Sequence, residues 1–225
     1  MYSEWAHPAG GVTVWARTHG GGDYRVLPDG CMDLIWRDGE LLVAGPDTAA
    51  HAERERPGVA YAGLRFAPGT GPWLLGAPAR EVRDLRVPLD ALWPGAAARR
   101  LAARAADDPV AALTGWVTRR TRQAGPADPL PGRVAGALAD GRSVAQVAGW
   151  TGLGERQLRR RCEAAFGYGP KTLARVLRLQ RALELARAGG SFAAVAVAAG
   201  YADQPHLSRE VRALAGVPLR ELVRR

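Results

Sequence analysis

Two stretches of this chain, about 48 residues apart, carry the same pattern, and that repeat limits what the C-terminal half can fold into. Each stretch opens at a serine, Ser143 or Ser191, and runs through a short Ala/Val-rich segment. Each then bends at a glycine, Gly152 or Gly200. A second segment starts near Glu155 or Asp203 and contains Leu-x-Arg, as Leu158 with Arg160 and as Leu207 with Arg209. Both stretches close on a Gly/Pro turn, Gly167 to Pro170 and Gly216 to Pro218. Repetition at a fixed spacing marks one supersecondary unit used twice. A short helix, a tight bend and a second helix make that unit a helix-turn-helix.

Apolar spacing and Gly/Pro punctuation predict helices over about 131–139, 143–149, 155–165, 170–188, 192–199, 203–214 and 218–224. Small residues, Ala148 and Ala196, stand where the first helix of each unit would cross the second. In the second helix of the first unit, Leu158, Cys162 and Phe166 recur every four residues and should face inward. Arg156, Arg159, Arg160 and Arg161 cover much of the remaining surface. In the second unit Leu207, Val211 and Leu214 should face inward, which leaves Gln204, His206, Ser208 and Arg209 outside. Arginine can donate two parallel hydrogen bonds to guanine, and glutamine can pair twice with adenine. Other arginines would hold phosphates, adding affinity without sequence information. For Arg160 and Arg209 the sequence leaves two roles open, a DNA contact or a salt bridge to the neighbouring helix. The helix expected from Lys171 to Ala188 is on the order of 27 Å long. A spacer of that size suits two reading helices in successive major grooves, about 34 Å apart. One run of arginines would be an ordinary solvated face; two units with matched turns point instead to double-stranded DNA.

The charge distribution agrees. The whole chain carries +9, but residues 1–125 hold 15 basic and 14 acidic residues, against 16 and 8 in residues 126–225. The excess is therefore +1 in one half and +8 in the other, which directs a polyanion to the C-terminal half alone. All but one of the basic residues are arginine, the exception being Lys171.

The N-terminal half has a different texture. Short runs rich in β-branched and aromatic residues, Val12 to Arg17, Tyr24 to Leu27, Cys31 to Arg37, Leu41 to Ala44 and Val59 to Phe66, alternate with Gly/Pro clusters. This predicts an antiparallel β domain, with Asp38-Gly39 as its clearest hairpin turn. Pro72 to Leu75, Ala91 to Trp93, Ala96 to Ala105 and Asp108 to Arg122 read as helical or irregular, with Asp107 or Asp108 capping the last. The fold class expected is α+β: a β-rich domain over residues 1–123 with a helical C-terminal part, a Pro-rich linker over 124–131, and an all-α domain over 132–225 with helix-turn-helix units near 143–165 and 191–214.

At this point the sequence resembles a known family. The segments GYADQPHLSREVRALAGVPLREL and SVAQVAGWTGLGERQLRRRCEAAFGYGPKTLARVLRLQRALELARAGG resemble the DNA-binding domain of AraC/XylS-type transcription regulators. The resemblance covers about residues 130–225. It implies two helix-turn-helix subdomains joined by a long helix and bound to asymmetric sites near promoters. By position it offers Arg156, Arg159 and Arg160 from the first reading helix, and Gln204, Pro205, His206, Ser208 and Arg209 from the second. There are departures. Cys162, Val211 and Leu207 stand where the family carries larger aromatic residues, and Gly154 and Ala202 replace capping serines, each cap being worth about 1 kcal/mol. Pro205 is expected in a first helical turn, where its missing amide costs nothing. The segments YRVLPDGCMDLIW and LRFAPGTGPWLLGAPAREVRDLRVPL resemble a small β-rich domain that precedes such DNA-binding domains in bacterial regulators, which implies a sensor role.

Five tryptophans precede residue 100, and a pocket for a small apolar or planar effector is expected there, with Trp36, His51, Arg65 and Trp73 as candidate lining residues. Asp29, in a Pro-Asp-Gly turn, should bond its own backbone; Asp33 should face solvent or cap that loop. Cys31 reads as a buried thiol. His7, His19, His51 and His206 lack metal-ligand spacing, and Gly20 to Gly22 lacks a P-loop lysine, so neither a metal nor a cofactor is expected. With no nucleophile or metal site found, no catalytic residue is assigned, and a DNA-modifying enzyme tethered by a helix-turn-helix is the weaker alternative. A second alternative is a constitutive regulator whose N-terminal domain serves dimerisation or protein contacts. A homodimer, RNA polymerase and a small-molecule effector are the further partners this reading allows. With no apolar run of membrane length and no signal-peptide pattern, the expected place is the bacterial cytoplasm, at the nucleoid, with no membrane partner.

Overall fold

The alternation of apolar and polar residues along the early strands gives the first layer two unlike faces. The computed structural model describes residues 2–223. Its strands are β1 (Tyr2–Ala6), β2 (Val12–Thr18), β3 (Gly22–Val26), β4 (Met32–Arg37), β5 (Glu40–Ala44), β6 (His51–Glu55), β7 (Ala60–Phe66) and β8 (Arg86–Pro88). Six of them form an antiparallel sheet in the order β1-β2-β7-β4-β5-β8, and β3 pairs with β6 as a separate ribbon. The β4–β5 hairpin turns at Asp38-Gly39, both with positive φ (49° and 86°), as a two-residue turn of that composition requires. Strands β1, β6 and β8 were not marked by apolar runs. YSEWA and HAERE carry no buried face of their own, and β8 is three residues long.

Val12, Val14, Met32, Leu34, Leu41, Val43, Leu64 and Phe66 point from one face of the sheet into a core. Helices α1 (Gly71–Leu75), α2 (Gly95–Asp107) and α3 (Pro109–Ala124) cover that face. Asp108 caps α3, its carboxylate accepting from the Ala111 amide at 2.9 Å. The helical piece expected at Ala91 to Trp93 is a 3-10 turn over Leu89–Ala91, and a second such turn spans Ala79–Glu81.

The C-terminal half consists of α4 (Pro129–Ala139), α5 (Val144–Thr151), α6 (Glu155–Phe166), α7 (Pro170–Arg187), α8 (Phe192–Ala198), α9 (Gln204–Ala215) and α10 (Leu219–Val223). Residue 224, the end of the last expected helix, lies outside the described residues. Two prolines of the expected linker, Pro129 and Pro131, stand in the first turn of α4, where an amide has no helical partner to lose. Helix α7 is the spine of this half. Its Leu173 and Val176 complete one core with Val134, Leu138, Val147, Leu158, Cys162 and Phe166. Its Leu179 and Leu183 complete another with Val195, Leu207, Val211, Leu214 and Leu219.

Candidate nucleic-acid interface and sensor pocket

In each unit the bend depends on a residue that tolerates left-handed backbone. Gly152 has φ 67° and Gly200 has φ 81°, and both are followed by the second helix of their unit, α6 or α9. Leu158, Cys162 and Phe166 of α6 are buried, as are Leu207, Val211 and Leu214 of α9. Burial of one stripe leaves the opposite one in water. Arg156, Arg159 and Arg160 are exposed on α6, and Gln204, Pro205, Ser208 and Arg209 are exposed on α9. Arg159 donates to Glu163 one turn on (2.8 Å), an exposed pair that water screens. Arg160 and Arg209 make no ion pair among the described residues, which leaves both side chains free to reach a partner.

His206 departs from the expected outward set. Its ring accepts from the Ala202 amide (3.3 Å) and meets the Tyr201 ring edge-on at 5.3 Å, so it closes the start of α9. The cap of α9 also differs from expectation. Asp203, not Ala202, is the capping residue, and its carboxylate accepts from the His206 amide at 2.6 Å. The missing serine is thus made good in the second unit. In the first, Gly154 caps α6 with no side-chain bond.

The two halves of the chain touch where the reading helices end. The loop between β5 and β6 reaches both. Pro46 lies against Gly167, where an added Cβ would come within 2.7 Å of it. Four residues on, the Ala50 amide donates to the Leu214 carbonyl at 2.6 Å. Arg83 Nη1 donates to the Gly167 carbonyl (3.3 Å), and the Arg25 guanidinium lies over Gly216. The loop between β3 and β4 meets the spine, with Gln180 Nε2 donating to the Pro28 carbonyl at 2.6 Å and Leu27 packing on the second core. The C-terminal ends of α6 and α9 thus face the β domain, and α6 also runs beside the Ala79–Glu81 turn, where Arg80 shares a groove with Gln157 and Arg160.

On its other face the sheet is mixed, with Asp33, Arg65 and Arg17 set among Trp15, Ile35 and Leu42. Together with the β3–β6 ribbon it encloses a pocket of about 360 Å³. Register sets its centre. Asp33 of β4 stands directly opposite Arg65 of β7, with Nε 3.5 Å from the carboxylate, and Asp29 lies 3.8 Å from the same atom. Trp15 Nε1 donates to Asp33 at 2.9 Å. Burial pushes the Asp33 carboxyl up to about 6 despite the opposing pull of Arg65, while Asp33 in turn holds the Arg65 guanidinium more firmly protonated. Arg17 lies between the rings of Tyr24 (4.6 Å) and Tyr61 (5.1 Å). Arg86 grips Asp47 with two bonds of 2.7 and 2.6 Å. Arg17 Nε, Arg65 Nε and the Tyr61 hydroxyl are buried here without a well-formed hydrogen bond among the described residues.

Of the four side chains expected to line an effector pocket, His51 and Arg65 lie on this one. Trp36 and Trp73 do not. Strand alternation puts Trp36 with Met32 and Leu34 on the apolar face, and Trp73 lines a separate groove of about 660 Å³ between α1, the 125–132 segment and α6. Asp33 is neither solvent-facing nor a loop cap; it is the acidic centre of the pocket. Asp29 does bond its own turn, accepting from the Cys31 amide at 2.9 Å. The Cys31 thiol is pushed up by burial and by the two nearby carboxylates. Trp15, Arg17 and Arg86 were not singled out from sequence. Alternation along β2 finds the first two, since Val12 and Val14 claim the apolar face and leave Trp15 and Arg17 on the other. Among the described residues no group of three or more His, Cys, Asp or Glu is gathered as for a metal, and no helix is long and apolar enough to cross a membrane.

Comparison with known proteins separates the same two halves. Residues 147–225 match a family described as a helix-turn-helix domain, and residues 12–88 match a domain of unknown function, DUF6597. No curated protein matches the chain. Among solved structures, apo ToxT from Vibrio cholerae resembles it with 11% identity and a TM-score of 0.51, over 95% of this chain and 97% of that one. A further ToxT structure from the same organism gives 9% identity and a TM-score of 0.50, over 94% and 96%. A probable AraC family transcriptional regulator from Rhodopseudomonas palustris shares 21% identity over 43% of this chain and 95% of that one, with a TM-score of 0.37. At such identity the ToxT likeness is one of fold, and it extends across both halves.

Proposed function

Starting from a DNA-binding transcription regulator whose C-terminal half is an AraC-type helix-turn-helix domain, we propose that a small molecule in the Asp33–Arg65 pocket of the N-terminal half controls how that domain meets DNA. One observation carries the proposal: the loops that wall the pocket are the loops that touch the reading helices. Asp47 lines the pocket between Pro46 and Ala50, which contact the ends of α6 and α9. Asp29 lines it one residue from Pro28, which is bonded to the spine. A ligand that engages Arg86 or Arg65 competes with Asp47 or Asp29 and so acts on both loops.

The pocket favours a small planar molecule carrying a hydrogen-bond acceptor. Trp15, Tyr24 and Tyr61 supply ring walls, and Arg17 Nε, Arg65 Nε and the Tyr61 hydroxyl, buried without a well-formed hydrogen bond, would gain one from a ligand acceptor. Residues 1–123 are then the sensor and residues 132–225 the DNA-binding part, with Arg156, Arg159, Arg160, Gln204, Ser208 and Arg209 as the DNA contacts. His206 belongs to the set through its hold on the first turn of α9. The site of action is the promoter, in the bacterial cytoplasm at the nucleoid, with RNA polymerase as protein partner. One chain already carries two reading heads, so a homodimer would add a second pair and is not needed to complete the first. The reading assigns no catalytic step to the chain.

Thermal-shift screening of the full chain against planar metabolites tests the effector. Stabilisation that is lost in Arg65→Met, together with a ligand-dependent change in duplex binding, is the expected result. Stabilisation by no metabolite class would favour a constitutive regulator whose N-terminal half serves protein contacts.

A further inference from the structure

The side of α7 turned away from the β domain is strongly cationic. Leu173 and Gln180 of this helix meet the β domain, at Gly30 and at the Pro28 carbonyl. Lys171, Arg175 and Arg178 stand two residues from one or the other, which at about 100° per residue places them on the opposite side of the helix. With Arg142 and Arg181 they line a cleft of about 620 Å³ between the two helix-turn-helix units. Its further walls are the bend between α4 and α5 and the bend that precedes α9.

Little opposes this charge. Arg175 is neutralised by Glu210, with bonds of 2.8 and 3.2 Å, and Arg178 lies over the Tyr201 ring at 5.4 Å. Arg142, Lys171 and Arg181 are exposed and make no ion pair among the described residues, and Asp140 is the acidic residue at the cleft edge. Four cations facing one carboxylate repel one another unless an anion lies among them. The cleft opens between the bend after α4 in the first unit and the bend after α8 in the second, on the side of α7 opposite its contacts with the β domain.

We infer that Arg142, Lys171, Arg178 and Arg181 form a phosphate cradle that holds the DNA backbone where it crosses between the two major grooves. The inference rests on the DNA-binding reading above and adds to it a sequence-independent anchor on the connecting helix. Two reading helices in successive major grooves leave one minor groove between them, and its two phosphate strands face the spine. From Lys171 to Arg181 the helix rises about 15 Å, enough to meet phosphates on both sides of that groove. Such contacts fix position and carry no base information.

The test uses the full chain and a 30-base-pair duplex of arbitrary sequence, with affinity measured by fluorescence anisotropy across a salt series. Arg142→Gln, Lys171→Gln and Arg181→Gln remove exposed charges without touching either core, and Arg104→Gln on α2 controls for net charge. Each cleft variant is expected to reduce the slope of log K against log salt by about 0.9 and to weaken binding about fivefold at 0.15 M salt. The Arg104 control is expected to keep the wild-type slope. If the cleft variants keep that slope, or if the control loses as much, the cradle is overturned while DNA binding stands. If the wild-type chain itself shows no salt-dependent binding to any duplex, the underlying DNA reading fails, and the cradle with it.

Discussion

The two helix-turn-helix units share a fold but present different chemistry. The first exposes three arginines, Arg156, Arg159 and Arg160, on a helix whose start is capped by a bare glycine, while Arg161 turns to Asp128. The second shows glutamine, serine and one arginine, on a helix capped by Asp203 and tied to the spine through Glu210 and Arg175. Charge acts over several ångströms and tolerates a loosely held helix. Hydrogen-bond recognition, as proposed for Gln204 and Ser208, works only at one distance and angle, and those residues stand on the helix whose start is fixed. On the proposed reading the first head both anchors and reads through arginine, and the second reads through shorter polar side chains.

The largest effects should be those on which the units agree. Leu158→Ala and Leu207→Ala each empty a fully buried site, and each should cost about 2–5 kcal/mol of stability in denaturant unfolding. A large loss from one and a negligible loss from the other would mean that the two cores are not equivalent. Next come the reading side chains. Arg159→Ala should weaken binding at a preferred sequence by about 1–3 kcal/mol, and Gln204→Ala should relax the preference at one base pair by a similar amount. An equal loss on random duplex would make Arg159 a phosphate contact. The caps give smaller differences. Asp203→Ala should lower stability by about 1 kcal/mol, because it leaves the His206 amide without its acceptor. The smallest effect is a gain: Gly154→Ser should stabilise the first unit by a few tenths of a kcal/mol, since no atom lies within 4 Å of an added Cβ there. A Gly154→Ser variant that also bound more selectively would show that the looser start of α6 limits its recognition.

The helical half was legible because its signals are local and repeated. Ser143, Gly152, Leu158 and Gly167 each recur in the second unit, and helix ends fall within a few residues of the Gly/Pro marks. The β half was legible only where strands have an apolar face. β1 and β6 escaped because their stability comes from pairing with β2 and β3, a non-local property that composition does not carry. The pocket suffered the same way. Asp33 and Arg65 are 32 residues apart in sequence and become neighbours through the register of β4 and β7. Trp36 was misplaced for a different reason. Residue type points Trp36 to a pocket, but strand alternation seats it with Met32 and Leu34. The cap of α9 was assigned one residue early because Ala202 was matched by position, whereas hydrogen-bond geometry selects Asp203.

Surface loops are ordinarily where a protein accepts extra residues. The segment from Gly45 to Ala50 has no such latitude, since Pro46 is seated against one reading helix and Ala50 is bonded to the other. An inserted residue would have to displace one helix end or the other, and with it the spacing of the bases the protein can address. This stretch should therefore keep its length among descendants of the chain even as its sequence drifts, behaving as a ruler in a position where most folds carry slack.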